Sequence, residues 1–288
     1  MQNADTLVPI PRLPLELERE IFELAAWHDK PTMLVLILVA SRVRVWIEPL
    51  LHRVFHTETK EDIQALHDRL TNNPAHAASL RYLLVTCSTP EVYPALEYIL
   101  RACSNLVDLG IWVDSKPADD LARLEVTSPR VTHLSLKLEH LAGDLPGHRR
   151  RIFAPDLGCF ASLTHLDLID SKPASELGAI MQLLKSPVLP SLRYLAIADA
   201  KTEVYLAILA LPRPLPLRIL CAYGDSVHED QEAQVPDLRF CVVYSREYTD
   251  DWTQAAWRKA GFWELAEGRV ADRRAKAAAN EADAARRS

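Results

Sequence analysis

Between Leu80 and Val243 the apolar positions repeat one figure, Leu-x-x-Leu-x-Leu with aliphatic substitutions. It reads Leu80/Leu83/Val85, Leu106/Leu109/Ile111, Val131/Leu134/Leu136 and Leu163/Leu166/Leu168, then Leu192/Leu195/Ile197, Leu217/Leu220/Ala222 and Leu238/Cys241/Val243. Successive starts lie 26, 25, 32, 29, 25 and 21 residues apart. The alternation inside each figure is that of a short strand whose pattern residues point inward. Helical spacing fills the intervals. Val92, Leu96, Ile99 and Cys103 share one face, Leu177, Ile180/Met181 and Leu184 a second, and Val204, Ile208 and Leu211 a third.

Ahead of this region, Leu13 to Phe55 predicts three helices. Pro14 suits a first helical turn, where its missing N–H would have no partner. Leu17, Ile21 and Leu24 follow at helical spacing, and Asp29-Lys30-Pro31 ends that helix. Met33 to Ala40 is apolar throughout, and Val43, Trp46/Ile47, Leu50/Leu51 and Val54 form a third stripe. Thr57 to Ser79 predicts a connecting helix, with Thr59 and Asp62 spaced as a capping pair. After Thr249 an apolar stripe through Trp252 and Ala256 is interrupted at Gly261 and resumes at Phe262, Trp263, Ala266 and Val270. It predicts a helix closing the open edge of the repeats. Beyond Ala271 no large apolar residue but Ala remains to dock the tail, which is expected to fray.

Composition narrows the classes. A net charge of −6 over 288 residues argues against a nucleic-acid partner, which needs a basic face. Met33 to Ala40, the longest uncharged apolar run, falls far short of the roughly 20 residues that span a bilayer, so no membrane association is expected. Met1 to Asp5 shows neither the basic start nor the apolar core of a signal peptide. Five cysteines without a Cys-x-x-Cys pair fit a reducing compartment, cytoplasmic or nuclear.

The N-terminal stretch resembles the F-box, most closely the F-box-like variant common in fungal proteins. The likeness rests on Leu13-Pro14-Leu15-Glu16-Leu17, on Ile21-Phe22, and on Val39-Ala40-Ser41-Arg42-Val43 to Trp46 before Pro49-Leu50-Leu51. Glu18 departs from the family's second aliphatic residue, and His28 to Pro31 lengthens the first loop. The repeated figure resembles irregular leucine-rich repeats, although the position usually held by Asn or Cys carries Ser88, Asp114, Glu139, Ser171, Ala200, Asp225 and Arg246.

Together these imply an α/β chain: a three-helix F-box-like module, then an irregular leucine-rich-repeat solenoid with a C-terminal capping helix. The expected divisions are a lead-in at 1–12, the module at 13–56, a connecting helix at 57–79, repeats at 80–248, and a capping helix with polar tail at 249–288. A layered α/β domain with similar strands is the alternative. The resemblance implies a substrate-recognition subunit of a Skp–cullin–F-box ubiquitin ligase, itself not an enzyme and needing no cofactor. A Skp-type adaptor would dock on Leu13, Pro14, Leu17, Ile21, Val43, Trp46, Ile47, Pro49, Leu50 and Leu51, and through it a cullin. The alternative is a repeat-based interaction module outside any ligase, its helices serving as an N-terminal cap.

On a repeat sheet the residues between the inward leucines would line an exposed face and hold the target protein. Tyr82, Asp108, Trp112, His133, Lys137, His165, Asp167, Tyr194 and Tyr223 are the candidates, flanked by Leu84, Thr86, Ser135, Ile169, Ile219, Phe240, Val242 and Tyr244. His133, His165, Ser135 and Asp167 suggest a metal site or a Ser-His-Asp arrangement. Two histidines and one carboxylate are too few metal ligands, and nothing supplies an oxyanion hole. His148-Arg149-Arg150-Arg151, in a long insertion from Gly143, could contact an acidic or phosphorylated partner.

Overall fold

The computed structural model describes residues 13–27, 30–87, 89–112, 126, 128–137, 159–169, 173–185, 189–211, 216–224, 230–244, 248–257 and 261–287. The expected lead-in at 1–12 and the arginines at 149–151 lie outside the described residues. Two compact units divide the chain, Met1–Leu51 and His52–Ser288.

The first unit holds α1 (Leu15–Ala26), α2 (Lys30–Leu36) and α3 (Ser41–Leu51). Pro14 stands immediately before α1, and Glu16 and Glu18 occupy its first turn, where negative charge meets the positive end of the helix dipole. Pro31 falls in the first turn of α2. The core is small: Ala26, Met33, Val43 and Ile47 are buried, and the Phe22 and Trp46 rings lie 6.3 Å apart. Arg42 bridges α3 to Glu18 of α1 at 2.5 Å, an exposed pair of small energetic weight.

The second unit is built on one sheet of eight parallel strands in sequential order. These are β1 (Val54–Thr57), β2 (Tyr82–Val85), β3 (Asp108–Ile111), β4 (His133–Leu136), β5 (His165–Leu168), β6 (Tyr194–Ala198), β7 (Ile219–Tyr223) and β8 (Phe240–Val243). The pattern leucines stand in register: Leu83, Leu109, Leu134, Leu166, Leu195 and Leu220 pair across successive strands. They form one core with Ile63, Leu66 and Leu70 of α4 (Lys60–Asn72), Leu96 and Ile99 of α6 (Tyr93–Ala102), Ile180 and Leu184 of α8 (Pro173–Lys185), and Val204 and Ile208 of α9 (Thr202–Leu209). The short helices α5 (Ala75–Ser79), α7 (Cys159–Ser162) and α10 (Asp230–Gln234) lie in connections between strands. Burying each such side chain contributes about 1.5–3 kcal/mol. The capping pair forms: the Asp62 N–H donates to Thr59 Oγ1 at 3.2 Å and the Thr59 N–H to Asp62 Oδ2 at 3.0 Å.

The opposite face corrects the expected fold. It is no open surface of a leucine-rich-repeat solenoid with a helix at its end. Instead α11 (Tyr248–Ala256) and α12 (Phe262–Arg287) lie across it. Phe262, Ala266 and Val270 pack on Ala196, Ala198, Ile219, Cys221, Tyr223, Cys241 and Val243, while Trp252 and Ala256 pack on Leu84. The result is an α/β sheet with helices on both faces. The cause is compositional, because β6 to β8 are apolar at nearly every position. Parallel strands buried on both sides read that way, whereas an open face would alternate.

A further correction concerns β8. Leu220 pairs with Phe240, so Phe240 and Val242 enter the leucine core. Cys241 and Val243 turn to α12 instead. The expected inward figure Leu238/Cys241/Val243 is therefore out by one residue, which exchanges the two faces. The tail beyond Ala271 remains helical to Arg287. A polar anchor helps hold it: Arg273 donates to the carbonyls of Glu232 at 2.9 Å, Val235 at 3.0 Å and Phe240.

Candidate functional site

Two surfaces hold the residues singled out by sequence, one in each unit. In the first unit the apolar balance is inverted. Leu13, Leu15, Leu17, Ile21, Leu24, Leu34, Val35, Leu38, Val39 and Val45 are each 47–82% exposed. Leu17, Ile21 and Leu24 are spaced to share one side of α1, with exposed Leu13 just ahead of the helix, and it is not the side that carries buried Ala26. Of the expected adaptor contacts, Leu13, Pro14, Leu17, Ile21 and Pro49 are exposed, and Trp46, Leu50 and Leu51 are partly so. Val43 and Ile47 are buried, so they hold the helices together rather than meet a partner.

In the second unit the register brings most target candidates into rows. Tyr82, Asp108, His133, His165 and Tyr194 cross β2 to β6 as one row. Asp167 belongs to the next, beside Ser135, and Tyr223 to a third, opposite Ala198. Trp112 follows β3, with its Nε1–H donating to Ser135 Oγ at 3.0 Å, and Lys137 follows β4. Asp167 and Tyr223 are buried and the other seven only partly exposed. Tyr248 and Trp252 of α11 and Phe262, Trp263 and Glu267 of α12 contact most of this set.

Aromatic rings hold the row. His133 stacks on His165 at 3.8 Å and His165 on Tyr194 at 4.0 Å, with Trp263 edge-on at 5.1 and 5.5 Å. Tyr194 donates to Glu267 of α12 at 2.8 Å. Thr164 Oγ1 donates to the Thr132 carbonyl at 3.1 Å and Thr132 Oγ1 to that of Val107 at 3.4 Å. Their hydroxyl oxygens lie 2.9 Å from His133 Nδ1 and 2.8 Å from His165 Nδ1. With both hydroxyl protons so committed, the network assigns the imidazole protons to Nδ1. Burial pushes His133 down to about 4. His165 falls further, again chiefly by burial and then by repulsion from His133. Both rings are neutral at neutral pH.

Beneath α11 two carboxyls are enclosed. Asp108 accepts from Trp252 Nε1 at 2.9 Å, and burial raises it to about 7 against that bond. Asp167 accepts from the Tyr248 hydroxyl. Its Oδ1 has no hydrogen-bond partner among the described residues. Burial raises it well above the carboxylate range; the Tyr248 bond opposes this and nearby Asp108 adds to it. A cavity of about 160 Å³ lies here, lined by both carboxyls, His133, and rings of α11 and α12.

The hydrogen bonds do not form a Ser-His-Asp relay. Ser135 meets Trp112, each histidine Nδ1 meets a threonine, and Asp167 meets Tyr248. Among the described residues no group of three or more His, Cys, Asp or Glu could hold a metal ion, and no helix is long and apolar enough to cross a membrane. Cys87, Cys103, Cys221 and Cys241 are buried, and burial drives the Cys103 thiol up to about 12. Tyr248 is the site residue that sequence reasoning missed. Its signal lay in the doubly apolar strands, which require a cover over this face. Compared with known proteins, the chain matches no family model and no curated sequence.

Proposed function

We propose that this chain is a recognition subunit of a Skp–cullin–F-box ubiquitin ligase, docked on a Skp-type adaptor through α1 to α3. The observation that carries the reading is the exposed apolar side of α1. Leu17, Ile21 and Leu24, with Leu13 just ahead of the helix, project from a unit in which four hydrophobic residues are buried among the described residues. Contiguous exposed apolar surface of this kind marks a protein contact, and an amphipathic helix laid into a partner's groove is a recurrent way of making one. Leu34, Val35, Leu38 and Val39 add apolar surface from α2 and the turn after it. The F-box resemblance of the same residues supplies the adaptor's identity. The subunit transfers nothing itself and contributes proximity, in the cytoplasm or nucleus.

Co-expression with a Skp-type adaptor tests the reading. The wild type should co-purify with it, and Leu17→Asp/Ile21→Asp should lose it while keeping its circular dichroism. Because both side chains are about half exposed, the double change should cost the unit little stability. A wild type that is soluble alone and ignores the adaptor would overturn the proposal. The helices would then be an N-terminal cap.

A further inference from the structure

The cavity between the sheet and α11–α12 combines three features that the adaptor reading does not use. Asp167 is 5% exposed and lines the cavity, yet its Oδ1 has no partner among the described residues. Buried carboxylate oxygens are ordinarily satisfied, and a native exception calls for a cause. The walls are aromatic, with Tyr82, Tyr248, Trp252, Phe262 and Trp263. The charged lining is acidic, and no lysine or arginine belongs to it among the described residues.

We propose that this cavity binds a small organic ammonium ion, its N–H donating to Asp167 Oδ1 and its carbon atoms covered by Trp252, Trp263 and Tyr248. Aromatic faces attract such cations through the ring quadrupole, more strongly where water is excluded. The volume of about 160 Å³ suits a group of roughly benzene size. A divalent metal ion fits poorly, since the described residues offer no group of three or more ligands for one.

Burial favours the protonated form of Asp167 in the free protein, so an ammonium ion competes with that proton for the carboxyl. The other titratable groups around it are Tyr82, Asp108 and His133 from the sheet and Tyr248, Asp251 and Glu264 from the helices. Tyr223 and Cys221 also feel its charge. Burial holds His133 uncharged at neutral pH, and tyrosine and cysteine have no cationic form, so none of these brings a competing cation.

The test titrates n-butylammonium chloride into the full chain, followed by tryptophan fluorescence and calorimetry. Saturable binding is expected, with a heat that depends on the buffer's ionisation enthalpy as the displaced proton is taken up. Neutral n-butanol should bind at least about tenfold more weakly, as the cation attraction is lost. Asp167→Asn should weaken n-butylammonium by a similar factor or more, and as Asn matches the uncharged carboxyl in shape and keeps an oxygen for the Tyr248 hydroxyl, it should remain folded. No saturable binding, equal binding of n-butanol, or unchanged binding by a folded Asp167→Asn would overturn the proposal. The n-butanol comparison stands on the wild type alone, whatever the variant does.

Discussion

Asp108→Asn isolates the effect of one buried carboxyl on stability. The Asp108 proton is held to about pH 7 in the folded chain against an ordinary value of 3.8. The unfolded chain releases it near that ordinary value, so between the two the folded state binds the extra proton. Stability from this group is therefore greatest at low pH, falls as pH rises through the interval, and is flat above about 7. The slope is about 1.4 kcal/mol per pH unit. Between about pH 4.5 and 8 the wild type should lose up to about 3 kcal/mol relative to the variant. This is an upper bound, because Asp108 keeps part of its surface open to the cavity.

Asn keeps an oxygen for the Trp252 Nε1–H and does not titrate, which makes the difference between the two proteins readable. His133 works in the opposite direction. It is held near 4 from an ordinary 6.5, so its contribution is lost as pH falls through that range. His165 behaves likewise, and both histidines are common to the two proteins and drop out of the difference. Urea unfolding at several pH values, followed by tryptophan fluorescence and far-ultraviolet circular dichroism, gives the two stability curves. A constant gap between them would refute the reasoning, since Asp108 would then titrate alike in both states.

Arg273→Ala should cost about 1–3 kcal/mol, the range for losing hydrogen bonds made by a charged group. Hydrogen exchange should show the loss as lowered protection of α12 beyond Ala271 and around Val235. Gly110→Ala should lower the melting temperature, because a Cβ there would collide with Leu84 Cδ1 on the neighbouring strand. Overpacking of this kind costs about 1–3 kcal/mol, read in a thermal melt.

Strand positions were legible because the inward leucines repeat and pair in register. The first strand, Val54–Thr57, was not. At four residues, Val-Phe-His-Thr is too short for its period to separate strand from helix, and Val54 extends the stripe of α3 equally well. The slip at β8 has a similar origin, since Phe240-Cys241-Val242-Val243 is apolar at every position and either face could be inward. Arg273 was invisible to a search for apolar anchors. The row from Tyr82 to Tyr194 was legible as a row, but its accessibility was not, because that depends on where a distant helix lands. The apolar runs of β6, β7 and β8 carried that information: a face bearing Ala196, Ile219, Cys221 and Cys241 cannot be left to water.

The two units thus place their unsatisfied groups differently, and this bears on where partners meet the chain. In the sheet unit both faces are covered along β6 to β8, and among the described residues one oxygen of Asp167, a residue lining the aromatic cavity, is buried without a partner. A macromolecule cannot reach it without moving α11 or α12, whereas a small cation needs only the cavity. In the helical unit the unsatisfied groups are outside. Leu17 and Ile21 repeat at the spacing of a helix's core face, yet both are exposed, and Val43 and Ile47 fill the core instead. Burying a leucine or isoleucine gains about 1.5–3 kcal/mol. The stripe of Leu17, Ile21 and Leu24, with Leu13 just ahead of it, therefore holds a large free energy that the unit's own packing leaves unused. That reserve, rather than the covered sheet face, is the physical argument for a protein partner on α1.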